Sequence, residues 1–187
     1  MKLEERMVSS QTIFEGHLIK VTLDEAELPN GKLAGREVVY HPGGVTVLAL
    51  GEDGTVPLVR QYRYPIQSLL LELPAGKLDP GEDPAEGALR ELKEETGAVP
   101  GEFISLGQVL PSPGCFGEIL HLYLARNVKM EEQNLDEDEF VEIFEIPLKE
   151  ALEMIRDGRI VDFNLTRIAN AITKAFEATQ IPYNPDI

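Results

Sequence analysis

Three glutamates near the middle of the chain are spaced for joint chemistry. Glu91, Glu94 and Glu95 stand at i, i+3 and i+4, so their carboxylates converge if this segment is an α-helix. Carboxylates this close repel one another unless a cation or a base lies among them. A ligand set of oxygens without cysteine suits hard ions such as Mg²⁺ and Mn²⁺, and Mg²⁺ usually leaves room for substrate phosphates. The spacing therefore predicts a divalent-metal site that acts on phosphate compounds.

A helix with marked ends must present these glutamates. Asp83 is a good N-cap, Pro84 suits the first helical position, and Gly97 can end the helix in a left-handed conformation. Glu86 stands three residues after the cap, as in a capping box. An apolar face at helical spacing predicts packing on a sheet, and it comprises Ala85, Ala88, Leu89 and Leu92. Glutamate and arginine at i, i+4 are also common on solvated helices, so the spacing alone leaves that alternative open.

The wider pattern of residues 76–98 is far more specific. It runs Gly76, five residues, Glu82, seven residues, Arg90-Glu91-Leu92, one residue, Glu94-Glu95, one residue, Gly97-Ala98. This matches every position of the Nudix box, and the protein therefore resembles the Nudix hydrolases. The resemblance implies an α/β fold, a Nudix-type α/β/α sandwich with a central mixed sheet, and hydrolysis of a nucleoside diphosphate linked to another moiety.

The resemblance also implies roles for the residues of the box. Glu91 and Glu95 are expected to bind metal, and Glu94 to be a ligand or a close catalytic partner. Arg90 is expected to orient these carboxylates, with support from Glu82. In related enzymes the backbone carbonyl before the box glycine also binds metal, and Ala75 holds that position here. The implied cofactor is Mg²⁺, with Mn²⁺ as the alternative.

Three further features resemble the ADP-ribose pyrophosphatases of this superfamily. Pro113 lies sixteen residues beyond Gly97, where those enzymes carry a proline. An N-terminal hairpin resembles the sheet that dimeric ADP-ribose hydrolases exchange so that it reaches the partner's site. The acidic stretch 131–139 resembles a loop that supplies another metal ligand and a candidate general base. On that pattern Glu139 is the expected ligand and Glu137 the expected base.

The expected contacts with substrate come from several segments. A guanidinium can take two phosphate oxygens or stack on a base, which favours arginines at the site. The candidates are Arg36, Glu37, Arg63, Gly76, Ser112, Gly114 and Glu118. Glu118 is also a candidate for contact with the metal or the terminal ribose. The hairpin resemblance implies a homodimer with exchange of the N-terminal segment.

The order of apolar segments supplies the scaffold. A hairpin is predicted from strand formers on both sides of an Asn-Gly turn, in segments 17–28 and 33–40. Further strands are predicted at 45–50, 56–62, 69–73, 103–110, 119–125 and 141–146, with helices at 148–156 and 164–179. The break at Pro42-Gly43-Gly44 predicts an N-terminal β hairpin at 1–42 and a Nudix hydrolase domain at 43–187.

Charge and composition narrow the function classes. The formal net charge is −16, with 33 acidic and 17 basic residues, which argues against nonspecific binding to nucleic acid or to an anionic membrane. The single cysteine, Cys115, favours a reducing compartment, and no apolar run reaches the ~18 residues of a membrane span. We therefore expect a cytoplasmic protein.

These observations favour Mg²⁺-dependent hydrolysis of ADP-ribose to AMP and ribose 5-phosphate. A broader nucleoside-diphosphate-sugar pyrophosphatase, such as one acting on a GDP-sugar, stays open as an alternative. So does a binding module that senses ADP-ribose without cleaving it, although the complete set of box carboxylates argues against that class. An enzyme for oxidised nucleoside triphosphates fits less well, because such enzymes typically lack the N-terminal hairpin.

Overall fold

The computed structural model describes residues 3–135, 139–162 and 164, and these fall into two compact units. One unit contains the described residues of 1–44 and 109–120, and the other contains the described residues of 45–108 and 121–187.

The first unit is built on an antiparallel sheet in the order β1-β2-β3, formed by β1 (Arg6–Glu15), β2 (Lys20–Glu27) and β3 (Leu33–Tyr40). The predicted hairpin of β2 and β3 is confirmed, and Gly31 occupies its turn with φ 78°. The strand β1 was not predicted, because its polar run Ser9 to Thr12 gives no alternating pattern. Pairing with β2 forms it instead.

The loop at residues 110–119 also belongs to this unit and lies against β3. Val39 donates its N–H to the carbonyl of Cys115 (2.8 Å) and accepts from the N–H of Gly117 (2.8 Å). These bonds hold the segment 112–118 beside the strand that carries Arg36 and Glu37.

Among its described residues, the second unit contains two sheets and two α-helices. One sheet has the order β10-β5-β6, with β5 (Thr55–Arg63), β6 (Ser68–Glu72) and β10 (Val141–Pro147) antiparallel. The other has the order β7-β4-β9-β8, with β4 (Gly44–Leu50), β7 (Ala75–Lys77), β8 (Ala98–Val109) and β9 (Leu120–Met130). The helices are α1 (Pro84–Thr96) and α2 (Leu148–Arg156).

The mixed α/β fold class expected from the sequence is confirmed, including the small antiparallel N-terminal sheet. The predicted strands all form, although β8 begins at Ala98, five residues earlier than expected. The predicted helix 148–156 is also confirmed. The expected helix 164–179 lies outside the described residues apart from Asn164. No helix in the described ranges is long and apolar enough to cross a membrane.

Helix α1 begins and ends where the sequence indicates. The carboxylate of Asp83 accepts from the N–H groups of Ala85 (2.8 Å) and Glu86 (3.4 Å), and Pro84 fills the first turn. Gly97 ends the helix at φ 72° and donates its N–H to the Lys93 carbonyl (2.8 Å). Both ends of the helix that carries the glutamates are therefore fixed locally.

The apolar face of α1 packs on the β7-β4-β9-β8 sheet, in one core cluster with Val45, Val47, Ala49, Tyr123 and Ala125. Ala88 and Leu92 are fully buried there, and Ala85 packs at the edge of the cluster. The prediction was wrong for Leu89, which is 38% exposed. The helix instead turns Glu91 and Glu95 inward, and at 100° per residue this moves position 89 toward the solvent.

Candidate active site

Arg90 joins the carboxylates of the box. Its Nε and Nη2 donate to the two oxygens of Glu82 (2.9 and 3.1 Å), which is a bidentate pair. Its Nη1 donates to Glu91 (2.9 Å) and Glu94 (3.0 Å), and Nη2 also donates to the carbonyl of Lys77 (3.2 Å). One guanidinium thus contacts three carboxylates, as the orienting role predicted for Arg90 requires.

Glu82 fixes the position of this guanidinium from the loop before the helix. It also accepts from the N–H of Asp79 (2.9 Å), and the hydrogen bonds from Arg90 and Asp79 lower the pKa of Glu82. The bonds to Glu82 are in turn the largest cause that raises the pKa of Arg90. Both partners are therefore charged at neutral pH.

Gly87 makes room for the pair and was missed by the sequence analysis. A Cβ at this position would lie 2.9 Å from both a Glu82 oxygen and the Cδ2 of Leu78. The signal in the sequence is a glycine inside a helix, where it costs stability and therefore calls for a packing reason.

Glu95 is the most deeply buried acid of the described box residues. It is 2% exposed, and its Oε2 accepts from the N–H of Ala75 (2.8 Å). Burial raises the pKa of Glu95 to about 8, the Ala75 N–H opposes this, and the charges of Glu91 and Glu139 add to it. The charge of Arg63 lowers that pKa. Without a cation the carboxyl is therefore partly protonated at neutral pH.

Glu91 is buried beside it, at 8% exposure. Burial raises the pKa of Glu91, Arg90 opposes the shift, and the charges of Glu139 and Glu94 add to it. Its carboxylate occupies the space above Gly76, where a Cβ would lie 1.9 Å from the Glu91 carboxyl carbon. The box therefore needs glycine at position 76, because a side chain there would displace the Glu91 carboxylate.

The acidic stretch begins at Glu131, directly after β9, and its first residues are hydrogen-bonded to the C-terminal end of α1. Glu131 donates its N–H to the carbonyl of Gly97 (2.7 Å), and Asn134 donates its N–H to that of Glu94 (3.0 Å). The Gln133 side chain donates to the Glu95 carbonyl (2.6 Å). These bonds satisfy carbonyls that a helix end leaves without partners. Gln133 gave no signal in the sequence, because 38 residues separate it from Glu95.

The charge of Glu139 adds to the raised pKa of both Glu91 and Glu95. Its role as a metal ligand stays a prediction. Glu137, the expected base, lies outside the described residues.

The donor chemistry of this cluster fits a hard divalent cation. Two buried carboxyls with raised pKa values lie beside further carboxylates, and every side-chain donor among them is an oxygen. Within the described ranges, however, no group of three or more acidic, histidine or cysteine side chains is arranged to hold a metal ion. Glu91 and Glu94 are bonded to Arg90 instead. Metal binding by Glu91 and Glu94 would therefore require these carboxylates to turn toward the ion and away from the guanidinium.

Arg63, a predicted substrate residue, lies in the second unit, which also contains the Nudix box. Its Nε donates to Glu72 (2.8 Å), and its charge acts on Glu95. Beside Glu139 lies an open cleft of about 450 Å³, lined by Arg60, Tyr62, Leu69, Leu135, Phe140, Val141 and Glu142.

The other predicted substrate residues lie in the first unit. Arg36 donates to both oxygens of Glu5 (2.9 and 2.7 Å), and Glu118 stands 3.6 Å from Nδ1 of His41. Glu37 follows Arg36 on β3, and Ser112 and Gly114 lie on the loop held beside β3. Their contacts with substrate stay predictions.

The family follows from comparison with known proteins. Residues 40–167 match the family model of the NUDIX domain. The chain belongs to the Nudix hydrolases. Residues 5–39 match a second model, the nucleoside diphosphate sugar hydrolase N-terminal domain. This Nudix hydrolase is thus similar to known families over both its N-terminal sheet and its box.

Individual relatives cover most of the chain. A protein of Bacillus methanolicus named methanol dehydrogenase activator is 45% identical over 85% of this chain and 87% of its own. The ADP-ribose pyrophosphatase of Bacillus subtilis strain 168 is 42% identical over 86% of this chain and 88% of its own. A crystal structure of an ADP compounds hydrolase superposes with a TM-score of 0.83 at 22% identity, over 96% of this chain and 98% of that one. This last likeness concerns the fold.

The packing of Gly76 against Glu91 leads to a first prediction. Gly76→Ala forces the Glu91 carboxylate to move, because the added Cβ would lie 1.9 Å from it. The carboxylate is the far end of a flexible side chain, so the fold accommodates the change while the arrangement of acids is lost. We expect a melting temperature within a few degrees of wild type and a kcat lower by at least ~10²-fold. Wild-type kcat would contradict the assignment. Gly35→Ala, whose Cβ meets nothing within 4 Å, is the matched control for stability.

The burial of Glu95 leads to a prediction on pH. Its pKa is about 8 in the fold against an ordinary 4.5, so the unfolded chain ionises first and stability falls as pH rises from 4.5 to 8. Glu95→Gln removes this loss, which corresponds to roughly 3–5 kcal/mol over the full range. In EDTA we expect the variant to be more stable than wild type at pH 8 and close to it near pH 5, by urea unfolding. An equal difference at the two pH values would contradict the burial effect.

Proposed function

We propose that this Nudix hydrolase cleaves the diphosphate of a nucleoside diphosphate sugar, and that ADP-ribose is its preferred substrate. The single observation that carries the proposal is the joining of Glu82, Glu91 and Glu94 by Arg90, beside the buried Glu95. The 42% identity to an ADP-ribose pyrophosphatase supports the substrate.

In this proposal Glu91, Glu95 and Glu139 would hold Mg²⁺, with Glu94 and the Ala75 carbonyl as further donors. The bound ion would neutralise charge on the diphosphate oxygens and lower the pKa of a water molecule. Arg90 restrains the carboxylates through its bonds to Glu82, which keeps the donors near their working positions in the absence of substrate.

The chain's own residues bind the substrate and accept the proton. Arg63 contacts the diphosphate, and the cleft beside Glu139 is large enough for a nucleoside or a sugar. Water attacks one phosphorus, the bond between that phosphorus and the bridging oxygen breaks, and a carboxylate takes the proton from the water. We assign this base to Glu137, with Glu139 as the alternative. The products are AMP and ribose 5-phosphate.

The first unit completes the proposal. We assign Arg36 and Glu37 on β3, and Ser112, Gly114 and Glu118 on the loop beside it, to the adenosine and terminal ribose. We further propose a cytoplasmic homodimer in which the N-terminal segment, 1–42, is exchanged. Apolar side chains exposed on the first sheet support such an assembly, and they include Met7, Ile13, Phe14, Leu23 and Leu33.

A second candidate is a broader nucleoside-diphosphate-sugar pyrophosphatase. It is favoured by the match of residues 5–39 to the nucleoside diphosphate sugar hydrolase N-terminal domain, whose name specifies no single sugar or base. Both candidates share one chemistry and differ in the groups around the diphosphate.

A panel of substrates tests the proposal. The values of kcat/KM with Mg²⁺ are compared for ADP-ribose, GDP-mannose, NADH, a diadenosine polyphosphate and an oxidised dGTP, with Mn²⁺ as the alternative ion. We expect ADP-ribose to exceed every other compound by tenfold or more, which is about 1.4 kcal/mol of transition-state discrimination. Similar rates on several sugar nucleotides would select the second candidate. Tight ADP-ribose binding with no turnover would indicate a sensor and overturn the proposal.

A further inference from the structure

We propose that Glu72 is a positioning residue that aims Arg63 at the diphosphate of the substrate. The inference rests on the proposed function in one respect, since it takes a diphosphate compound as the ligand of Arg63. It adds a residue on β6, outside the Nudix box, to the working parts of the site.

Arg63 and Glu72 form an ion pair between the neighbouring strands β5 and β6. Arg63 lies at the end of β5, and Glu72 lies at the end of β6. The register pairs Arg63 with Ser68 and Val59 with Glu72, so both side chains lie on the same face of this β-hairpin. The Arg63 side chain must therefore extend back along the strand to reach Glu72, where Nε donates to Oε2 at 2.8 Å.

The hydrogen bond between Arg63 and Glu72 uses the Nε–H of the guanidinium. Glu72 contacts the Nε of Arg63, and an arginine carries four further N–H donors on its two Nη atoms. These are the donors that take two phosphate oxygens at once. The Arg63 side chain is 41% exposed and that of Glu72 only 14%. Glu72, the more buried partner, thus holds the guanidinium at Nε. The partly exposed Arg63 side chain can offer its Nη atoms to a ligand.

Buried neighbours fix the backbone at Glu72. The next residue, Leu73, is 1% exposed and donates its N–H to Oδ2 of Asp162 (3.2 Å), and Asp162 is itself 7% exposed. The backbone that carries Glu72 is therefore anchored in the core. Burial and the negative charge of Asp162 both raise the pKa of Glu72, and Arg63 opposes them. Glu72 in this setting needs a cation beside it.

The Arg63–Glu72 pair lies close to the Nudix box. Glu72 stands three residues before Ala75, whose N–H donates to Oε2 of Glu95 (2.8 Å), so at most about 11 Å of extended chain separates Glu72 from the residue that holds Glu95. The guanidinium therefore stands near the predicted metal ligands, where the diphosphate must come. A free arginine would lose side-chain entropy when it bound phosphate, and the bond to Glu72 reduces that loss before the ligand arrives.

The experiment measures binding of α,β-methylene-ADP-ribose, a non-hydrolysable analogue, by calorimetry at saturating Mg²⁺. Glu72→Gln keeps the size of the side chain and removes its charge. We expect it to raise Kd by about tenfold, as for loss of a hydrogen bond to a charged group, with the melting temperature little changed. On ADP-ribose the same variant should raise KM more than it lowers kcat.

The matched control is Glu102→Gln, which removes the charge from another arginine–glutamate pair of the same unit, that of Arg126 on β9 with Glu102 on β8. We expect its Kd to equal that of wild type. A double-mutant cycle provides the decisive readout, because a residue that acts through Arg63 has no effect once Arg63 is gone. We expect Glu72→Gln to leave Kd unchanged in the Arg63→Ala background. If Arg63→Ala fails to fold, the cycle uses Arg63→Lys.

The outcomes separate the two claims. A wild-type Kd in Glu72→Gln, or an undiminished effect of that change in the Arg63→Ala background, would overturn the positioning role and leave the proposed function standing. A wild-type protein that binds neither the analogue nor ADP-ribose would overturn both.

Discussion

The site depends on how negative charge is held at close range. Several carboxylates lie on one side of α1 and in the loops beside it, and two of them, Glu91 and Glu95, are almost fully buried. Their repulsion and burial destabilise the fold unless cations are present. Arg90 offsets part of this cost by bonding to Glu82, Glu91 and Glu94, and Arg63 offsets another part near Glu72 and Glu95. The remaining excess of negative charge is what a divalent ion would neutralise.

The backbone around α1 holds these groups without further side chains. Asp83 and Gly97 fix its two ends, the N–H of Ala75 holds Glu95, and the absence of a side chain at Gly76 admits Glu91. A preorganised arrangement of this kind lowers the reorganisation needed when charge develops in a reaction. Stability and function are in tension here, because the buried acids that weaken the metal-free protein are those proposed to bind the ion.

The local features of the site were predictable from the sequence, and the long-range ones were not. The two caps, Asp83 and Gly97, follow from their residue types at the helix ends. The convergence expected of Glu91, Glu94 and Glu95 follows from helical spacing, and the structure confirms the helix that carries them. The inward turn of the helix was missed, since burying two acids conflicts with hydrophobic patterning, and Leu89 is exposed as a result. Gln133 and Glu72 reach their partners through tertiary packing, which leaves no mark on local spacing. The strand β1 likewise depends on its pairing with β2.

The central claim is that the buried carboxylates exist to hold a divalent cation, and Mn²⁺ binding tests it most directly. Electron paramagnetic resonance of free Mn²⁺ at pH 8 gives the Kd of wild type, of Glu95→Gln and of Glu102→Gln without reference to any substrate. The account predicts that wild type and Glu102→Gln bind alike and that Glu95→Gln weakens binding by at least about tenfold. Equal binding by Glu95→Gln and wild type would contradict it.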